Sequence, residues 1–92
     1  MNKAELATAL AVRVGISRKD ATVALDGFIE EITNAVAKGE KVSITGFGVF
    51  DKKERQARMA RNPRTGEPVK VEKSSAPTFR PGQAFKDAVA SA

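Results

Sequence analysis

The chain has 92 residues, a length that holds one domain, and 41% of them are apolar, enough for a core. There is no cysteine, which excludes a disulfide frame and thiolate metal sites, and no histidine, which removes the commonest general base and metal ligand. The net charge is +5. The stretch Met1-Asn2-Lys3-Ala4-Glu5 has no apolar region behind it, so no signal peptide is expected. No apolar run approaches the roughly 18 residues needed to cross a bilayer. A soluble cytoplasmic protein is the expectation.

Asn2 followed three residues later by Glu5 reads as a capping box, so a helix is expected to begin near Lys3. Leu6, Ala9, Leu10 and Val14 keep helical spacing, and Gly15 supplies a stop. Ser17 with Asp20 repeats the signal and opens a longer helix. Its apolar stripe is Ala21, Leu25, Phe28, Ile29, Ile32 and Val36, and Gly39 ends it. From Lys41 the period changes to two. Val42 and Ile44 alternate with Ser43 and Thr45 in a strand, Gly46-Phe47-Gly48 makes a tight turn, and Val49-Phe50 open a second strand. That strand is expected to continue with polar alternation up to Arg61.

Asn62-Pro63-Arg64-Thr65-Gly66 reads as a hairpin tip, with Gly66 at positive φ closing a four-residue loop built on a type I turn. Glu67–Lys73 returns, with Pro68 facing outward because it cannot donate to a ladder. Ser74–Pro77 leads to a third core strand around Phe79. Pro81-Gly82 opens a short C-terminal helix with Phe85 and Val89 at i, i+4.

The distribution of charge says more than its total. Residues 1–51 carry six Lys/Arg and seven Asp/Glu, net −1; residues 52–73 carry eight against three, net +5; residues 74–92 carry two against one, net +1. All five aromatics are phenylalanine, and none lies in 52–73. The chain divides into a near-neutral apolar body, 1–51 and 74–92, and a basic appendage, 52–73, without a core of its own. A basic field confined to one element is the footprint of a polyanionic partner. A basic amphipathic helix over 52–66 fails for want of an apolar face. A disordered tail is the stronger rival, since a lone hairpin is marginal in water. The expectation lies between: a ribbon, mobile when free and ordered on its partner.

Without 52–73 the body has 70 residues. A core that small rarely supplies more than about 3–5 kcal/mol without a staple. With no disulfide and no metal site, oligomerisation is the remaining route. The phenylalanines and the stripe of the second helix are the material for a shared core.

Three motifs now stand in order: Gly46-Phe47-Gly48-Val49-Phe50, then Arg61-Asn62-Pro63-Arg64-Thr65-Gly66, then Phe79-Arg80-Pro81-Gly82-Gln83. In this order and spacing they resemble the HU/IHF family of bacterial nucleoid proteins, over essentially the whole chain. The resemblance implies an α+β fold and an intertwined dimer. Each chain would supply a helical body and a three-stranded antiparallel sheet extended into a long β-ribbon arm.

It also implies a single domain over 1–92 that binds, bends and compacts double-stranded DNA without sequence specificity. The contacts would be to the phosphates and the minor groove, with a preference for bent, nicked or flexible duplexes. Lys53, Arg55, Arg58, Arg61 and Arg64 would line the outgoing strand and tip, and Lys70 and Lys73 the return. Pro63, beside Asn62, matches an intercalating wedge, while Lys3, Arg80 and Lys86 match body positions beneath the duplex. Leu25, Phe28, Ile32, Phe47, Phe50 and Phe79 would form the dimer core. Gln83 departs toward the integration-host-factor pattern, which keeps a sequence-preferring subunit as the alternative function.

Other classes fare worse. With no His, Cys, Tyr or Trp and no carboxylate cluster, nothing supports an enzyme, a cofactor or a metal; adjacent Glu30 and Glu31 point apart on a helix. A peripheral membrane protein would want Leu or Phe beside its cations, which 52–73 lacks.

Overall fold

The computed structural model describes all 92 residues. It forms two compact units, Met1–Ala35 and Val36–Ala92.

The first unit holds helix α1, Lys3–Val14, and most of helix α2, Arg18–Ala37. Both N-termini are capped as the sequence predicts. Asn2 Oδ1 accepts from the Glu5 N–H at 2.9 Å, and Ser17 Oγ from the Asp20 N–H at 3.1 Å. Gly15, at φ 79°, ends α1 in the left-handed region, and the N–H groups of Gly15 and Ile16 both donate to Ala11 O. The pattern of burial differs from the predicted stripes. Ala7, Ala11 and Ala21 are the buried side chains of this unit, while Leu6, Val14, Phe28 and Ile29 are exposed. Only small side chains fit the positions one copy of the unit can close off, and the larger apolar groups stay on its surface.

The second unit contains the end of α2, five strands and helix α3. The strands are β1 (Val42–Ile44), β2 (Gly48–Arg55), β3 (Arg58–Arg61), β4 (Pro68–Val71) and β5 (Ser74–Pro81), and α3 is Gln83–Ala90. β1, β2 and β5 form an antiparallel sheet in the order β1-β2-β5, and β3 and β4 a separate two-stranded one. β1 reaches only Gly48–Phe50 of β2, whereas β5 accompanies β2 along its full length, from Gly48↔Pro81 to Arg55↔Ser74. Beyond Phe50 the sheet is therefore a two-stranded ribbon.

Three expectations are corrected. The outgoing strand does not run unbroken to Arg61 but stops at Gln56-Ala57, and the return stops at the same level, at Glu72-Lys73. Ser74–Pro77 is not a lead-in; it pairs with Lys52–Arg55 and belongs to the ribbon, because those residues need a partner strand once β1 has ended. The return strand begins at Pro68, one residue after Glu67.

Four phenylalanines gather in this unit. The Phe47 ring lies 4.9 Å from Phe85 and 5.4 Å from Phe79, and Phe50 lies 4.8 Å from Phe79. None is fully buried: Phe47 and Phe79 are exposed, and Phe50 and Phe85 half-buried. Beside them, Phe79, Pro81, Phe85, Lys86, Val89 and Ala90 line an open apolar groove of about 380 Å³. The Gly82 N–H donates to Phe47 O at 2.7 Å, tying the start of α3 to the Gly46-Phe47-Gly48 turn. No helix is long and apolar enough to cross a membrane.

Gly48 is where backbone and ring come closest. A Cβ there would stand 2.5 Å from Phe79 Cε1 and 2.6 Å from Arg80 O. Gly48→Ala is expected to destabilise by about 1–3 kcal/mol, read from denaturant melts. Gly27, inside α2, is the contrast, since a Cβ there would meet nothing within 4 Å. Gly27→Ala should stabilise by about 0.5–1 kcal/mol through helix propensity.

Candidate nucleic-acid interface

Directly opposed residues of an antiparallel pair share a face, so the register sorts the charges. On the β2–β5 ladder, Phe50, Phe79 and Lys52 lie on one face, and Lys53, Arg55 and Arg80 on the other. The three cations of the second group thus sit on the side of the sheet away from the aromatic cluster. On the distal ladder, Arg58 opposes Val71 on one face, while Arg61, opposite Pro68, shares the other with Lys70, opposite Met59. Arg58 and Arg61 thus lie on opposite faces of the distal ladder. A single alternation through Arg55, Arg58, Arg61 and Arg64 does not exist, because Arg55 lies across the break at Gln56-Ala57 and Arg64 is in the turn.

The tip closes by three hydrogen bonds centred on Asn62. Its N–H donates to Glu67 O at 2.8 Å, its carbonyl accepts from the Gly66 N–H at 2.7 Å, and its Oδ1 from the Arg64 N–H at 2.9 Å. Gly66 takes φ 74°, the positive value its position in the loop predicts. Four residues, Pro63–Gly66, project beyond the last strand-like bond. Pro63 is exposed at their head, and Arg61 Nη1 reaches back toward Gly66 O at 3.4 Å.

Not all the predicted contact residues are equally free. Lys3 pairs with Asp26 at 2.8 Å, Lys70 with Glu72 at 3.7 Å and Lys73 with Glu54 at 3.7 Å. Exposed pairs of this kind contribute about 0–1 kcal/mol, but each already neutralises its lysine. Lys53, Arg55, Arg58, Arg61, Arg64, Arg80 and Lys86 form no ion pair, and all seven stand exposed along the sheet, the tip and α3. The field therefore comes from the outgoing strand and tip more than from the return strand. Phosphate oxygens, which are single charges spaced along a backbone, suit such a row of solvated cations.

Gln83 is engaged locally: its side-chain amide donates to Asp87 Oδ1 at 2.8 Å, one turn along α3. Phe85, counted with the other phenylalanines as core material, joins the aromatic cluster from α3. One feature escaped the sequence reading. Lys52, counted among the basic segment, turns to the aromatic side and donates to Ala37 O at 3.1 Å.

A family model described as bacterial DNA-binding protein matches residues 1–90. The DNA-binding protein HU of Geobacillus stearothermophilus is 52% identical over 89 residues, covering 97% of this chain and 99% of that protein. DNA-binding protein HU 1 of Bacillus subtilis is 48% identical over 90 residues, covering 98% of each. Among solved structures, the chain is similar to HU in an Anabaena HU–DNA cocrystal, with a TM-score of 0.88 and 40% identity over 98% of both chains. HU from Thermotoga maritima gives a TM-score of 0.68 and 37% identity over 97% of this chain and 98% of that one. Matched along nearly its whole length by the family and by these relatives, the chain belongs to the bacterial DNA-binding protein family of HU proteins.

Proposed function

We propose that this protein is a non-sequence-specific architectural DNA-binding protein that works as a homodimer on the bacterial chromosome, in the nucleoid, with no catalytic role. The observation that carries the reading is the series of unpaired cations Lys53, Arg55, Arg58, Arg61 and Arg64 along the outgoing strands of the ribbon and its tip. The similarity to HU in a DNA cocrystal supports it. Arg58 on one face of the distal ribbon and Arg61 with Lys70 on the other allow a ribbon in a minor groove about 6 Å wide to reach both phosphate rims. That groove carries a degenerate code, and apart from Asn62 the arm offers little that could read base edges. Preference should follow deformability, favouring nicked, bent or A·T-rich duplexes.

The dimer follows from burial. The hydrophobic side chains buried within one chain are Ala7, Ala11, Ala21 and Val36, and no large side chain is fully buried. Phe28, Phe47 and Phe79 are 51%, 40% and 38% exposed, while Leu25, Ile32 and Phe50 are half-buried. Covering such groups is worth about 1.5–3 kcal/mol each, and a second copy offers the same surfaces in return. The melting temperature should therefore rise with protein concentration, and Phe79→Ala should cost about 3–5 kcal/mol per chain. A concentration-independent melt with a monomeric mass in the ultracentrifuge would refute the shared core.

A dimer that neutralises about 6–10 phosphates should lose roughly 10³–10⁵-fold in affinity between about 50 and 200 mM salt. Arg58→Ala should lower the salt slope by about 1 per chain, about 2 per dimer. Lys73→Ala should lower it less, because Glu54 already neutralises that lysine. A nearly flat titration of the parent protein would rule out the phosphate mechanism.

HU and IHF are standing examples of architectural proteins that kink DNA with apolar wedges, and the assignment of Pro63 as the wedge follows them. Pro63 has neither charge nor N–H donor, and the tip bonds run through Asn62, Arg64 and Gly66. Pro63→Ala should therefore reduce bending, measured by end-to-end energy transfer on a short duplex, and weaken the preference for nicked DNA while changing the salt slope little. An equal loss of affinity for straight and nicked duplexes, with the bend intact, would reduce Pro63 to a turn former.

A further inference from the structure

Lys52 belongs to the basic segment by sequence and stands apart from it by geometry. It is the second β2 residue past the reach of β1, where the three-stranded sheet has become a ribbon. Its face is that of Phe50 and Phe79, opposite the face of Lys53, Arg55 and Arg80. Its ammonium group donates to Ala37 O at 3.1 Å, and Ala37 is the last residue of α2.

A helix C-terminus leaves carbonyls without partners and carries partial negative charge, so it favours a cation. The last turn of α2 contains no basic residue of its own. The Gly39 N–H satisfies Val36 O, and Lys52 satisfies Ala37 O. The same stretch holds two further bonds. The Lys52 N–H donates to Asp51 Oδ1 at 2.8 Å, and Thr78 Oγ1 donates to Asp51 O at 3.4 Å. A two-stranded ribbon is pliable by itself, so its direction is set where it leaves the sheet.

We propose that Lys52 is a positioning residue: it braces the root of the ribbon against the C-terminus of α2 and makes no phosphate contact. The proposal rests on reading the ribbon as a DNA-bending arm, and its effect on DNA passes through the direction of that arm. It separates two adjacent lysines that composition treats alike, with Lys53 facing the phosphates and Lys52 holding the ribbon that carries it.

The test compares Lys52→Met, Lys52→Arg and Lys53→Met in the full-length protein. The readouts are amide exchange of Lys52–Arg55 without DNA, and salt slope and energy-transfer bend on a short duplex. Lys52→Met should speed exchange several-fold and reduce the bend while leaving the salt slope at the parent value. Lys52→Arg, which can still donate to Ala37 O, should restore both exchange and bend. Lys53→Met should leave exchange unchanged and lower the slope by about 2 per dimer. The brace is overturned if Lys52→Met lowers the salt slope as much as Lys53→Met, or if exchange and bend stay at parent values. A parent protein with a flat salt titration and no bend would instead overturn the DNA reading, and the exchange result would then decide the brace alone.

Discussion

The organisation of this protein depends on how little one chain can bury. Helices α1 and α2 close off three alanines, and Val36 is the largest side chain that water scarcely reaches. Leu6, Val12, Val14, Val23, Phe28 and Ile29 remain on the surface of the helical unit, and Phe47 and Phe79 on that of the sheet unit. A body of this size has much surface for its volume, and its own interior is marginal. Sharing apolar surface with a second copy removes that limit and carries two ribbons into one assembly. The proposed dimer and its proposed two-armed grip on DNA then follow from one shortage.

The sheet unit turns packing into electrostatic order. Phe79 rests against the bare backbone of Gly48, and Gly82 ties α3 to the Phe47 turn. With the rings gathered on one face of β2–β5, strand alternation sends Lys53, Arg55 and Arg80 to the other. The aromatic cluster is thereby the reason these cations share a face. Where the cluster ends, near Asp51, side-chain bonds from Thr78 and Lys52 hold the strands in place.

The arm is two ladders in series. The strands lose their pairing at the same level, Gln56-Ala57 on the way out and Glu72-Lys73 on the way back, and regain it for four residues on each side before the tip. Lys73 pairs with Glu54 and Lys70 with Glu72, so acidic residues of the arm temper its return side and leave the arginines of β3 and the tip unopposed. The basic excess of the segment is thus unevenly presented, and its strongest part lies next to Pro63.

Much of this was legible in the residues alone, because the signals are local. Caps at Asn2 and Ser17, stops at Gly15 and Gly39, the Asn62–Gly66 tip and the period-two strands each depend on neighbours within a few positions, where the backbone's hydrogen-bonding needs act. The confinement of positive charge to 52–73 and the motif order that carries the family resemblance are likewise properties of the string.

Tertiary structure decided what depends on partners distant in sequence. The ribbon extends back to Pro77 because β1 stops at Phe50 and only β5 can pair with Lys52–Arg55. Ala7 and Ala11 are buried in place of Leu6 and Val14, since periodicity defines a face without saying how much of it one copy can cover. Lys3, Lys70 and Lys73 carry carboxylates that composition counted separately, and Lys52 differs from Lys53 because adjacent strand residues point to opposite faces. One of those faces meets the end of a helix fifteen residues earlier in the chain, and the other faces away from it.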